Sequence, residues 1–183
     1  MSFCLRSFGR IHARRLLAGV ALAALASAIG PALAQYADLD RADWKEDAVP
    51  PPPAYATSGL IEIERSRGAS VKLGVDPKTI SISHDTGIVR YVVVAQGPSA
   101  VNATYEGIRC ATGEFRVYAH QSQGNPWTSY EDSSWRSMRG QSSVMVQHPY
   151  WLARNGMCNG TVLRSTVSDM VHELKSGNQS LYY

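Results

Sequence analysis

The stretch IVRYVVVA, residues 88–95, tells most about the fold of this chain. Its three consecutive valines lie in a mostly apolar run, which is typical of a strand covered on both sides. The sequence DTG at residues 85–87 predicts a tight turn into this strand, and GPS at residues 97–99 ends it. We therefore predict a buried strand within a sheet.

Four further segments show the apolar–polar alternation of strands. They cover residues 60–63, 79–82, 101–110 and 114–120. The last two are separated by ATG at residues 111–113, which fits a hairpin connection. Together with the first stretch they predict an antiparallel meander of about five strands.

Helical spacing replaces this alternation towards the C-terminus. We predict a short helix over Pro149–Asn155 and a longer one beyond it, with Gly177 placed to end the longer helix. The apolar positions of the longer helix recur every three to four residues, and they are Leu163, Val167, Met170, Val171 and Leu174. The expected fold is α+β, an antiparallel sheet of about five strands covered on one face by the C-terminal helix.

Residues 1–34 have the features of an export signal. The segment carries four arginines near its start, continues with an apolar run from Leu16 to Ile29 and ends with Ala32-Leu33-Ala34. The last three residues form a small-x-small cleavage site. The apolar run is shorter than the roughly 20 residues that a membrane-spanning helix needs. We expect cleavage after Ala34, a location in the periplasm and no transmembrane span in the mature protein.

The signal accounts for the basic charge of the whole chain. It carries four of the 18 Lys and Arg and none of the 15 Asp and Glu, so the mature chain has 14 basic against 15 acidic side chains. The overall basicity is therefore no indication of nucleic-acid binding, and we predict no nucleic-acid partner.

Residues 35–57 are predicted to form an acidic and proline-rich arm, and residues 58–183 a single α+β domain. The arm contains ADLDRADWKED at 37–47 and four successive prolines at 50–53, which favour an extended polyproline II spacer. One hypothesis makes this arm a docking peptide for an assembly, with the prolines as the spacer.

Two cysteines remain once Cys4 has left with the signal, namely Cys110 and Cys158. In an oxidising compartment they pair most simply with each other. A catalytic Cys110 would need a nearby base such as His120, but the sequence has no cysteine-protease or Cys-x-x-Cys motif to support that role. The prediction is a structural disulfide.

The cysteine ends YEGIRC, residues 105–110, where strand alternation places Glu106 and Arg109 on opposite faces. Each therefore needs a partner elsewhere, and Arg90 and Arg116 on neighbouring strands are the candidates for Glu106. The four side chains are either cross-strand ion pairs or the lining of a ligand pocket.

No cofactor or metal ion is predicted. The four histidines outside the predicted signal occur singly, without the spacing of a metal site, and each is interpreted as an ordinary surface or turn residue. They are His84, His120, His148 and His172. The sequence has no phosphate loop or dinucleotide-binding motif.

A polar loop at residues 121–135 carries three large aromatic side chains, Trp127, Tyr130 and Trp135. They form either a binding loop, because an exposed aromatic patch can mark an interaction surface, or a local cluster that pins the loop.

IVRYVVV, YEGIRC, FRVYA at 115–119, the Trp127 loop and Cys158 together resemble the cryptic neisserial protein-like family of exported proteobacterial proteins. The resemblance covers roughly residues 44–174, and YEGIRC is its most specific part. It implies an envelope location and carries over no activity and no catalytic residues.

These features predict an exported, non-enzymatic binding or interaction domain with one disulfide, whose partner is an unknown envelope protein or small ligand. Binding would use the sheet edge or the aromatic loop. The alternative is an envelope hydrolase or small-ligand enzyme using Glu106, Arg109 and His120, which requires the three side chains to converge in a pocket.

Overall fold

The computed structural model describes residues 43–63, 70–140 and 144–179, and it describes residues 144–146, 178 and 179 by their backbone alone. The predicted signal at 1–34, its cleavage site and residues 35–42 of the predicted arm lie outside the described residues. Export therefore stays a prediction.

The described chain is built around an antiparallel sheet. In chain order its strands are β1 (Ile61–Glu62), β2 (Lys72–Val75), β3 (Ser81–Ser83), β4 (Ile88–Gln96), β5 (Val101–Arg109), β6 (Glu114–Ser122), β7 (Thr128–Ser129) and β8 (Arg136–Ser137). Their spatial order is β1-β2-β4-β5-β6-β7, with β3 also paired to β4 and β8 to β6. The predicted buried strand, the tight turn at 85–87 and the hairpin at 111–113 are confirmed.

A β-bulge in β6 determines what the sheet presents on one face. Tyr105 pairs with Ala119 and Glu106 pairs with Val117, so Tyr118 is an extra residue between the two pairs. Such a bulge redirects a side chain relative to the regular alternation. As a result, the successive residues Tyr118 and Ala119 both lie with Tyr105 in one buried cluster.

The edge next to β4 differs from the prediction for residues 79–82. Asp76 caps a 3₁₀ turn at Pro77–Thr79, with its carboxylate accepting a hydrogen bond from the Lys78 N–H at 3.0 Å. Strand β3 therefore begins only at Ser81. Strand β2, with its exposed Lys72 and a glycine, was not predicted at all.

Helix α1 (Val144–Leu152) begins five residues before the predicted helix and continues into a π-helical turn, Ala153–Met157. A small hairpin of β9 (Cys158–Asn159) and β10 (Val162–Leu163) follows, and then helix α2 (Val167–Gln179). The Thr166 hydroxyl accepts from the Asp169 N–H at 3.1 Å, which explains the start of α2. The predicted helix end at Gly177 is wrong, because the helix continues to Gln179. Leu163, predicted as an apolar position of this helix, lies in β10 instead.

Both faces of the sheet are covered. On one face, residues of β4, β5 and β6 pack with side chains from the helical segment, of which four are completely buried: Leu152, Met157, Met170 and Leu174. The other face carries a smaller cluster that includes Val92, Tyr105 and Tyr118. This arrangement confirms the α+β fold class.

The disulfide between Cys110 and Cys158 is present and confirms the predicted pairing. It joins the end of β5 to β9 across a sequence separation of 48 residues. Closing a loop of this length removes unfolded-state entropy worth about 4 kcal/mol in the chain-entropy account. The bond therefore ties the helical segment to the sheet.

Candidate functional site

Residues 44–57, called the strap below, lie on the sheet face that carries Tyr118. Among the described residues, the strap forms no backbone–backbone hydrogen bond with the sheet. Side chains hold it instead, and the strongest contacts are made by Trp44, Glu46 and Asp47. The described part of the predicted arm is thus in contact with the sheet, while the domain boundary at residue 58 stays a prediction.

Glu46 is the centre of this contact, and its side chain is 9% exposed. Its carboxylate accepts hydrogen bonds from Arg90 Nη2 at 3.1 Å and from Arg116 Nη1 at 2.9 Å. The Tyr118 hydroxyl and the Trp135 indole N–H, at 3.1 Å, also donate to it. Two cations and two neutral donors therefore converge on one carboxylate, an arrangement typical of anion recognition.

Asp47 extends the acidic contact towards solvent. Arg90 Nη2 donates to its carboxylate at 2.6 Å, and the Thr86 hydroxyl donates to the same oxygen at 3.1 Å. The hydrogen bond from Arg90 is the main cause that lowers the pKa of Asp47 below its ordinary value. Arg90 thus bridges the two acidic residues of the strap.

Trp44 fills a slot beside the acidic contacts. Its ring lies under the Arg109 guanidinium, with the Arg109 Cζ 3.8 Å from the ring centroid, a cation–π contact. The Trp135 ring packs edge-on at 5.9 Å, and the Trp44 indole N–H donates to the Thr86 carbonyl at 3.0 Å. The slot therefore contacts both the ring and the N–H donor of the indole.

Gly107 makes room for Tyr118 in this cluster. A Cβ at residue 107 would lie 2.9 Å from the Tyr118 Cε2, closer than real Cβ contacts. Arg90 and Arg116 flank the same ring at 5.6 and 5.4 Å from its centroid. Burial, together with the hydrogen bond to the Glu46 carboxylate, raises the pKa of Tyr118, so its hydroxyl remains a donor.

A cavity of about 510 Å³ opens where the strap prolines leave the sheet. Its lining includes Val49 and Pro50–Pro52 from the strap. From the rest of the chain it includes three tyrosines and two charged side chains, Arg116 and Glu131. The tyrosines are Tyr105, Tyr118 and Tyr130. Aromatic walls with a few polar groups are typical of ligand pockets.

The opposite face of the sheet buries a different carboxylate, Glu106, which is 1% exposed. His148 Nε2 on α1 lies 2.7 and 2.9 Å from its two oxygens. The Tyr91 hydroxyl donates at 3.1 Å and the Thr104 hydroxyl at 2.8 Å. Helix α1 is thereby fastened to the sheet by a buried polar network.

Burial by itself would raise the pKa of Glu106, because it disfavours the charged form. The charge and hydrogen bond of His148 oppose this effect, and the hydrogen bonds of Thr104 and Tyr91 add to them. The net result is a pKa below the ordinary value of 4.5, so the carboxylate is ionised at neutral pH.

The candidate ion-pair cluster is therefore divided between the two faces. Arg90 and Arg116 bind Glu46, not Glu106 as expected, because Arg90 and Arg116 both pair with Gly107 and face the strap. The partner of Glu106 is His148, whose interpretation as an ordinary surface or turn residue is wrong. A carboxylate at a core-facing position of β5 was the signal that it required a buried cation.

Arg109 lies 3.8 Å from Glu114, and its guanidinium stacks over the Trp44 ring on the strap side. His120 stacks on Tyr130, with ring centroids 4.9 Å apart. The set Glu106, Arg109 and His120 does not converge, since Arg109 and Glu106 face opposite sides as the alternation predicted.

The aromatic residues of the 121–135 loop have separate roles. Trp127 packs edge-on against Tyr55 of the strap at 5.8 Å, and Trp135 binds Glu46. Tyr130 is 46% exposed and lines the cavity. Two of the three therefore hold the strap, and one faces an open site.

No helix within the described ranges has the length and apolar character needed to cross a bilayer. Within those same ranges, no three His, Cys, Asp or Glu side chains are grouped so as to hold a metal ion. The strap face presents guanidinium, hydroxyl and indole groups that contact a carboxylate and an aromatic ring of the strap.

Comparison with curated proteins and with solved structures finds no match to either. A family model described as the CNP1-like family matches residues 39–175, which include the strap, the sheet, the disulfide and most of α2. The chain therefore belongs to the CNP1-like family.

Proposed function

We propose that this protein is an exported, non-enzymatic binding domain of the cell envelope whose ligand surface is the strap face of the sheet. One observation carries the proposal: Arg90, Arg116, Tyr118 and Trp135 all donate to a single carboxylate beside an aromatic cavity. Groups of this kind bind and orient a ligand.

The periplasmic location is supported by the sequence of residues 1–34 and by the Cys110–Cys158 disulfide, since disulfides persist in oxidising compartments. Cell fractionation with mass spectrometry of the purified protein tests it. We expect the protein in the periplasmic fraction with Gln35 at its N-terminus and both cysteines oxidised. A cytosolic protein that retains Met1 would contradict the location.

The alternative, a hydrolase using Glu106, has less support. Glu106 is 1% exposed and holds His148, Tyr91 and Thr104, so a substrate would first have to displace α1. A general base must also reach the proton that it removes. Turnover of ester, phosphate or peptidoglycan substrates that is lost in a folded Glu106→Gln variant would favour the enzyme.

Site-specific photocrosslinking in the native envelope tests the binding surface. A photoreactive residue at Tyr130, which is 46% exposed and lines the cavity, should give a defined adduct. The same residue at Glu173 on α2, whose side chain is 45% exposed, is the matched control. We expect the Tyr130 adduct to weaken at least fivefold with Arg116→Gln and to be absent at position 173. Equal labelling at both positions would contradict the proposal.

A further inference from the structure

The strap is chemically a peptide ligand that is attached to its own receptor. We infer that the cleft beneath it is a recognition site for an acidic peptide segment of a partner protein, with an aromatic residue two positions before a glutamate. This inference rests on the proposed function and specifies its ligand class. The partner segment would replace the strap at the same side chains.

Charge complementarity identifies the ligand class. The cleft supplies three guanidinium groups, from Arg90, Arg109 and Arg116, and the strap supplies the carboxylates of Glu46 and Asp47. Four hydrogen-bond donors meet at the position of Glu46, and this position is nearly closed to solvent. An incoming segment without a carboxylate there would leave the Tyr118 hydroxyl, the Trp135 indole N–H and one N–H group each of Arg90 and Arg116 without that acceptor.

The neighbouring subsites define the rest of the ligand. The slot between Arg109 and Trp135 takes an indole, whose N–H reaches the Thr86 carbonyl. Beyond Asp47 the strap continues as Pro50–Pro52 against the tyrosine-lined cavity. Aromatic grooves of this type accept extended, proline-rich segments because such segments lose little entropy on binding.

The way in which the strap is attached makes exchange possible. Residues 44–57 contribute no backbone–backbone hydrogen bond to the described sheet, so the strap can leave without breaking a strand pairing. Its C-terminal end is anchored separately, by the Ala56 N–H to the Asp76 carboxylate at 2.7 Å and by Gln96 to the Thr57 carbonyl at 2.8 Å. The cleft can therefore open while the domain stays folded.

Because the strap is part of the same chain as the cleft, a partner segment would need a strong or multivalent interaction to displace it. A tethered segment competes at an effective concentration on the order of millimolar for a short flexible linker. A free peptide at micromolar concentration would thus be excluded from the intact protein. Releasing the strap should reveal the site.

The experiment uses the mature chain with a protease site inserted between Ser58 and Gly59, which are both exposed, so that the protein folds before it is cut. The probe is a labelled peptide with the sequence of residues 43–55, and the control peptide carries Glu46→Gln and Asp47→Asn. We expect the acidic peptide to bind at least tenfold more tightly after cutting than before. The neutral peptide should bind at least tenfold more weakly than the acidic one.

Two variants keep the result interpretable. Arg116→Gln in the cut protein should abolish binding, whereas Arg139→Gln, an exposed arginine outside the cleft, should leave it unchanged. If the cut protein unfolds, the uncut Trp44→Ala/Glu46→Gln variant replaces it and should show the same tenfold gain. Folding is checked by the thermal transition.

Equal affinity for the acidic and neutral peptides, or no binding by a folded protein from which the strap has been removed, would overturn the inference. If the cut strap remains bound, the inference is supported only when the acidic peptide displaces the strap and the neutral peptide does not. If the peptide experiment fails but the Tyr130 crosslink still forms, the strap face remains a binding surface and its ligand belongs to another class. The two proposals can therefore be refuted independently.

Discussion

Replacing His148 by alanine should destabilise the domain strongly, because it removes the imidazole whose charge and hydrogen bond stabilise the buried Glu106 carboxylate. The two side chains are 9% and 2% exposed, and His148 Nε2 lies 2.7 Å from the nearer Glu106 oxygen. In His148→Ala the carboxylate keeps its hydrogen bonds from Tyr91 and Thr104 and loses its charge partner.

The magnitude follows from the burial of the pair. Removing one member of a buried ion pair typically costs about 3–5 kcal/mol, since the remaining charge is left uncompensated in a medium of low polarity. For a domain of this size, each kcal/mol lowers the melting temperature by roughly 2–4 °C. We therefore expect the melting temperature of His148→Ala to fall by about 6–20 °C.

Urea unfolding followed by circular dichroism at pH 7 measures the loss directly. The matched control is His172→Ala, because His172 lies exposed on α2 and its replacement should change the free energy of unfolding by less than about 0.5 kcal/mol. Glu106→Gln in the His148→Ala background should recover part of the lost stability by removing the unpaired charge. A loss below about 1 kcal/mol for His148→Ala would refute the reasoning.

Three further outcomes are expected. First, because the folded-state pKa of Glu106 is below 4.5, the ionised carboxylate contributes to the free energy of unfolding above pH 4.5, and this contribution is lost as the pH falls through the lowered pKa. Urea midpoints should therefore fall more steeply below about pH 4.5 in the wild type than in Glu106→Gln. Second, Gly107→Ala should cost about 1–3 kcal/mol in unfolding free energy and speed proteolysis of the strap, since the new Cβ displaces Tyr118, whereas Gly97→Ala, with no atom closer than 3.5 Å, should do neither. Third, Cys110→Ser/Cys158→Ser should lower the free energy of unfolding by about 4 kcal/mol, and a loss under about 1 kcal/mol would show that the disulfide is not a major constraint.

Local sequence patterns were sufficient for the middle of the sheet. The valine-rich strand β4, the glycine turns on either side and the alternation in YEGIRC each depend on neighbouring residues, and their pairing follows from short connections. The disulfide was predicted because two cysteines remain once the predicted export signal is removed. These are the parts of the fold in which local preference and tertiary structure agree.

The site could not be predicted in the same way, because its contacts are distant in sequence and have no period. Glu46 binds Arg90 and Arg116, which lie 44 and 70 positions away. The prolines made the segment look like a free spacer, since nothing local shows that Trp44 and Glu46 bind a sheet. Alternation places Tyr118 on the same face as Arg116, but it does not show that the Tyr118 hydroxyl meets a carboxylate 72 positions away.

His148 was missed for a related reason. The pattern before Pro149 did not indicate a helix, so the position of His148 on a buried helical face was hidden. The inward position of Glu106 was visible in the alternation, and a buried carboxylate calls for a basic partner. The identity of that partner depends on how α1 packs on the sheet.

The most direct test of the account is a double-mutant cycle between Glu46 and Arg116, measured by urea unfolding at pH 7. The pair is 2.9 Å apart, and its side chains are 9% and 20% exposed. If the strap is docked, we expect the effects of Glu46→Gln and Arg116→Gln on the free energy of unfolding to be coupled by at least about 1 kcal/mol. Each substitution removes the same charge-assisted hydrogen bond. Additive effects, with a coupling below about 0.3 kcal/mol, would show that Glu46 does not occupy the cleft.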